Sequence, residues 1–122
     1  MIAILRGKDE ARRRMDELDR EGRHSTTSVN AFELFFGAFK SSQRRSNVEK
    51  TTSLLEKLDV LPFGLESSRG AGEILADLQA RGESIDFRDA MIAGIAKTNG
   101  LAVVTRNKDH FARIRGLTIE TW

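Results

Sequence analysis

Asp86-Phe-Arg-Asp89-Ala-Met-Ile-Ala93-Gly-Ile-Ala96-Lys-Thr-Asn-Gly100-Leu-Ala-Val-Val-Thr105 is the stretch that decides the fold class. From Asp86 to about Asn99 it is rich in small residues, Ala90, Ala93, Gly94 and Ala96, and small side chains let a helix pack closely on a sheet. Gly100 closes that helix. Leu101–Thr105 then shows almost no polar alternation, which suits a strand covered on both faces in a parallel sheet. Outward from this pair the same alternation repeats. Arg23 to Thr27 reads as a short strand. Asn30-Ala-Phe-Glu33 has the spacing of an N-cap followed by an acid at the third helical position, and the helix runs through Phe39. Arg44 to Leu58 is amphipathic, with Val48, Leu54, Leu55 and Leu58 apolar. Val60–Phe63 reads as a short strand, with Pro62 arguing for an edge or a strand end. Glu66 to Arg81 is helical, turning Ile74, Leu75 and Leu78 inward, and Gly82 stops it. Near the start, Lys8 to Glu21 places Ala11, Met15 and Leu18 on one stripe. Leu117–Glu120 reads as a last strand. Helices alternating with short strands predict an α/β sandwich around a mainly parallel sheet.

The chain has 122 residues, enough for one domain and too few for two. Hydrophobic residues make up 39% and charged residues 31%, the balance of an ordinary globular protein. No run approaches the ~18 apolar residues of a membrane span, and Met1–Leu5 is too short for a signal peptide and lacks its basic leader. With no cysteine, disulfides are excluded and any metal must sit on oxygen or imidazole ligands. A cytoplasmic protein is the expectation. Net charge is +2 with a pI near 9.3, a mild lean towards polyanions. Arg12–Arg14 and Arg44–Arg45 read as solvated surface. Arg106, Lys108, Arg113 and Arg115 are expected to surround an acidic site.

In parallel sheets, sites form beyond the carboxyl ends of the strands. By that rule three segments converge: Glu33 early in its helix, Asp86 and Asp89 three residues apart in one helical turn, and Asn107 and Asp109 just past the Leu101–Thr105 strand. Carboxylates gathered at one sheet edge repel each other unless a cation sits among them, and oxygen-only ligation favours Mg²⁺ or Mn²⁺. The other reading is that Asp86 and Glu33 are simple helix caps. Spacing does not separate the two. Asp89 differs, because a carboxylate on so apolar a helix needs a partner.

These residues, with Gly100–Thr105, Asn107, His110-Phe111 and Gly116-Leu117, resemble the C-terminal half of VapC-type PIN domains; upstream, Asn30–Ala38 matches that family's Glu-Leu-x-x-Gly helix. The resemblance runs over nearly the whole chain. It implies a PIN-like three-layer sandwich with helices on both faces of the sheet. It also implies a Mg²⁺-dependent (or Mn²⁺-dependent) endoribonuclease acting on structured RNA, the toxin of a toxin–antitoxin pair, forming a homodimer and binding a cognate antitoxin. Glu33 and Asp89 correspond to the family's metal-site acids. Asn107 falls where the family has Asp or Asn, and Thr105 matches the Thr beside the site. Asp86 is a further candidate ligand, and Arg106 and Lys108 flank Asn107 as candidate phosphate contacts.

The chain departs from the pattern at its start. The family opens with a central strand ending in an acidic ligand, and Ile2-Ala-Ile-Leu5-Arg-Gly7 instead matches the end of the helix that follows. The expectation is therefore an N-terminally incomplete PIN domain over residues 1–122, first strand absent, with Leu101–Thr105 lacking a neighbour and with weak Mg²⁺ binding and weak cleavage. A second function stays open: a degenerate module that binds antitoxin or RNA without cutting. A DNA-binding regulator is a distant third, as no helix-turn-helix spacing stands out. His24 and His110 are expected to be structural, His110 at the site rim. Phe32, Phe35, Phe36 and Phe39 span several faces of one helix, so not all enter the same core. They serve either core and helix packing or an exposed partner surface.

Overall fold

The computed structural model describes the backbone of residues 2–3 and residues 24–121 in full. Five parallel strands stand in the order β3-β2-β1-β4-β5: β1 Ile2–Ala3, β2 Ser25–Thr27, β3 Asp59–Leu61, β4 Val103–Val104 and β5 Ile119–Glu120. The helices are α1 Ser28–Lys40, α2 Arg44–Glu56, α3 Leu65–Ala80, α4 Phe87–Thr98 and the single turn α5 Lys108–Phe111. From β1 the connections move outward to β3, then return past β1 to β4 and β5. Right-handed crossovers therefore put α1 and α2 on one face and α3 and α4 on the other. The reversal at β1 opens a crevice at the carboxyl ends, where α1 begins directly after β2. The expected α/β architecture is the one observed.

One feature of the sheet differs from expectation. The slot beside β4 is filled: Ile2 pairs with Ser25 on one side and Val103 on the other, and Ala3 with Val104. Ile2–Ala3 is a strand where the resemblance implies a helix end. The physical reason is the row of peptide groups on β2 and β4, which need partners at the sheet's centre. β4 is also held on its far side, with Val103 N–H bonded to Thr118 O (2.9 Å) and Thr105 N–H to Glu120 O (3.0 Å). The expected Lys8–Glu21 helix and Arg12–Arg14 lie outside the described residues.

The start of α1 also differs. Thr27, extended at φ −116° and ψ 158°, is the N-cap. Its hydroxyl accepts from the Asn30 N–H (3.0 Å) and donates to Asn30 Oδ1 (2.9 Å). Asn30 is thus the buried third residue of the helix rather than its cap, which moves Glu33 into the second turn. Capping no longer explains Glu33. For Asp86 it does: its carboxylate accepts from the Arg88 N–H (2.8 Å) at the head of α4.

α4 lies at the centre of the core. Ile92, Ala93, Ile95 and Ala96 are fully buried with Val103, Phe111 and Leu78. Phe111 enters the core on α5. Of the apolar set on α2, Leu55 and neighbouring Leu58 are buried while Val48 and Leu54 are partly covered. Gly94 explains how α3 comes so close: a β-carbon there would meet Ser67 O at 2.6 Å and Ala71 N at 2.8 Å. Those are backbone atoms, so relief requires the helices to separate. Among the described residues no helix is long and apolar enough to cross a membrane.

Gly94→Ala is expected to destabilise the domain by about 1–3 kcal/mol through overpacking, despite alanine's better helix propensity. Thermal or urea unfolding reads this directly, and an unchanged or raised midpoint would mean that the α3–α4 contact yields easily.

Candidate functional site

Two helix N-termini meet the carboxyl end of the sheet. α1 starts where β2 ends, and α4 leads back into the start of β4, so its first turn lies at the opposite, carboxyl end. Both present unpaired N–H groups and positive dipole ends to that crevice, which favours negative charge there. On this ground stand Glu33 and Asp89.

Asp89, in the first turn of α4, is buried. Its Oδ2 lies 3.3 Å from Nδ1 of His110, which is about half exposed on α5. The sequence argument that this carboxylate needs a partner holds, and His110 is at the rim as expected. Glu33 is mostly buried too, with Oε2 3.6 Å from a guanidinium nitrogen (Nη1) of Arg88. Its second oxygen, Oε1, is fully buried and has no hydrogen-bond partner. A carboxylate oxygen stripped of water and left unpaired is costly, and a cation is what relieves it.

Arg88 is the residue that sequence reading missed. Asp86 Oδ1 accepts from its Nε (3.1 Å) and Asp86 Oδ2 from its Nη2 (3.2 Å), a two-pronged grip. Nη1 faces Glu33. The hydrogen bond and charge of Asp86, then the charge of Glu33 and more weakly that of Asp89, hold the guanidinium protonated beyond its already high range, with burial opposing slightly. Arg88 thus joins all three acids electrostatically, and Glu33 and Asp89 share one side of the molecule. The signal was present in the spacing: a basic residue two places after an N-cap Asp turns back onto that cap.

The residues after β4 are arranged less tightly. Thr105 is buried, and its hydroxyl accepts from the Asn107 N–H (3.0 Å). Asn107 precedes α5, exposed, with no side-chain cap bond. Arg106, Lys108 and Asp109 are exposed around it. Arg115 is elsewhere, which corrects the expectation that it joins Arg106 and Lys108 around the acids. Lys97 Nζ, in the last turn of α4, donates to Arg115 O (3.3 Å), and Arg81 donates to Arg113 O (2.8 Å). Arg115 also reaches Asp77 (4.0 Å), so its contacts run to α3 and the end of α4 rather than to Glu33 or Asp89.

A divalent ion fits what is present. Among the described residues no three His, Cys, Asp or Glu converge as a cage. Mg²⁺ does not require one, since it keeps several waters and is held through one or two carboxylates plus substrate phosphate. Glu33 and Asp89 supply hard oxygen donors, one of them unpaired.

On the outer side of α1, Phe32, Phe36 and Phe39 are each more than half exposed. Phe32 and Phe36 stack at 6.3 Å between centroids, and Lys40 Nζ lies 5.5 Å above the Phe36 ring. With Phe35 they line an open depression of about 570 Å³. Core packing therefore does not account for this set.

The chain is similar to known proteins over most of its length. The PIN domain family profile matches residues 1–117. The tRNA(fMet)-specific endonuclease VapC of Shigella flexneri is 34% identical over 102 residues, 84% of this chain and 77% of that protein. Its namesake from Salmonella typhimurium is 36% identical over 96 residues, 79% of this chain and 73% of that protein. Among solved structures, a DNA-bound VapBC from Salmonella typhimurium superposes with a TM-score of 0.82 at 34% identity, covering 93% of this chain and 85% of that one.

Asp86→Ala removes the α4 cap and is expected to cost about 1 kcal/mol of stability. Asp86→Asn, which keeps a capping oxygen, should retain most of it. Equal losses in the two variants, read by urea unfolding, would show that charge rather than capping is what Asp86 contributes.

Proposed function

The chain belongs to the PIN-domain family, and from that membership we propose that it is a Mg²⁺- or Mn²⁺-dependent endoribonuclease, the toxin of a toxin–antitoxin pair, cutting structured RNA such as tRNA. The observation that carries this reading is Glu33: a mostly buried carboxylate with one unpaired oxygen, against Arg88 of the helix that carries Asp89, at the carboxyl-end crevice of a parallel sheet. In this reading Glu33 and Asp89 hold the ion, with Asn107 as a neutral oxygen donor or water-orienting group. When bound, the ion supplies a water of lowered pKa and offsets charge on the phosphoryl oxygens.

The chain's own groups do the rest. His110 holds Asp89 in one orientation, and Thr105 ties down the backbone at Asn107. The exposed cations of Arg106 and Lys108 contact phosphates on either side of the scissile bond and set register without reading sequence. Asp86 serves by gripping Arg88 rather than as a ligand.

A second reading has a specific observation in its favour. Among the described residues no three metal-ligating side chains converge, and an arginine lies against Glu33, as expected of a module that binds RNA or antitoxin without cutting. A metal experiment separates the two. Millimolar Mn²⁺ is expected to raise the melting temperature of the chain, and Asp89→Asn to abolish both that shift and EDTA-sensitive RNA cleavage. Cleavage that survives EDTA or Asp89→Asn would end the metal-site mechanism; metal binding without cleavage would favour the second reading.

The exposed phenylalanines supply the association surface. Stacked aromatic rings rimmed by a lysine suit a protein partner, and the family relationship supports a cognate antitoxin and a second copy of the chain. Replacing Phe36 and Phe39 together by Ser is expected to weaken antitoxin binding or self-association by about tenfold or more. Unchanged values for both, by calorimetry and sedimentation, would remove the role of this face.

A further inference from the structure

Arg88 has two contacts that belong to opposite needs. Asp86 fixes its guanidinium plane from one side, so the rotamer entropy that an arginine ordinarily loses on pairing is already spent within α4. The remaining edge, Nη1, is thereby delivered to Glu33 at 3.6 Å. Glu33 is in turn the acid whose other oxygen is buried and unpaired. Asp89, next in the chain, adds its charge to the same guanidinium.

A monovalent cation held against a carboxylate that would also ligate a divalent ion does two things. Without the ion, it offsets the repulsion between Glu33 and Asp89 and keeps the crevice folded. With the ion, it adds like-charge repulsion at close range and occupies one side of Glu33. We propose that Arg88, gripped by Asp86, is a built-in counter-cation that competes with the divalent ion for Glu33 and so sets the ion concentration at which the site loads. The inference rests on the reading that Glu33 and Asp89 hold a divalent ion. Being about half exposed, Arg88 yields by swinging towards water rather than by unfolding its surroundings. Screening by that solvent keeps the effect modest.

Competition of this kind multiplies the apparent Kd of every divalent ion by the same factor, so it moves the loading threshold without reordering the ions. This makes Arg88 a positioning and tuning residue, acting on the metal site and not on the reacting atoms.

The test is calorimetric titration of the full chain with Mn²⁺, without RNA, for wild type, Arg88→Gln and Arg88→Lys. Arg88→Gln is expected to lower the Kd for Mn²⁺ by about threefold or more, from loss of a charge at close range in a partly solvated setting. Arg88→Lys, which keeps the charge, should stay within about twofold of wild type on the same reasoning. Equal Mn²⁺ affinity in wild type and Arg88→Gln overturns the competition alone. A gain in Arg88→Lys as large as in Arg88→Gln assigns the effect to packing, and overturns it too. No Mn²⁺ binding by any of the three proteins overturns it together with the metal reading.

Discussion

The structure depends on one helix doing two incompatible things. α4 is buried along its body by the sheet and by α3, and it must also carry a carboxylate in its first turn. Gly94 makes the first possible by letting α3 approach to backbone contact, where any β-carbon would collide. The second is solved by position. Asp89 sits at the helix start, where unpaired N–H groups point out and His110 is in reach, so its charge is met by dipoles and an imidazole rather than by hydrocarbon. Moved a turn later, the same carboxylate would lie among Ile92, Ala93 and Ile95 with no partner.

The sheet converts this local solution into a site. With β1 at its centre, the strands on either side send their connections to opposite faces, and the carboxyl-end crevice collects the start of α1 as well as the start of α4. Glu33 and Asp89, 56 positions apart in the numbering of the chain, become neighbours of one arginine for that reason. The crevice is rich in negative charge. Arg88 and His110 therefore serve as its internal partners, and Glu33 Oε1 is the oxygen they leave unserved.

The two faces of α1 divide the work. Its start supplies Glu33 to the crevice, while its exposed side stacks Phe32 on Phe36 in open water. Exposing three phenylalanines costs solubility and earns nothing in the core, so the surface makes sense only as half of a contact. Placing it on the same helix as Glu33 means that whatever covers it also touches the element that positions the acid.

Much of this was legible in the residues themselves. The small-residue run Ala90–Ala96 and the unalternating Leu101–Thr105 carry local periodicity, and periodicity alone implies a helix packed close on a parallel sheet. The rule that parallel sheets carry sites at their carboxyl ends likewise singled out Glu33, Asp89, Thr105 and Asn107 as candidates. Other features were decided only when distant segments met. Ile2–Ala3 became a strand because β2 and β4 offered unpaired peptide groups on both sides, although its own pattern resembled a helix end. Asn30 lost the cap to Thr27, since the buried threonine hydroxyl could both accept from and donate to it. Arg115 was drawn to Asp77 and the end of α4, and Arg88 was turned onto Glu33. Sequence determines which residues can pair within a turn or along a face; which charges meet across the molecule is settled by packing, because only the folded sheet brings separate chain segments within the few ångströms over which charges act.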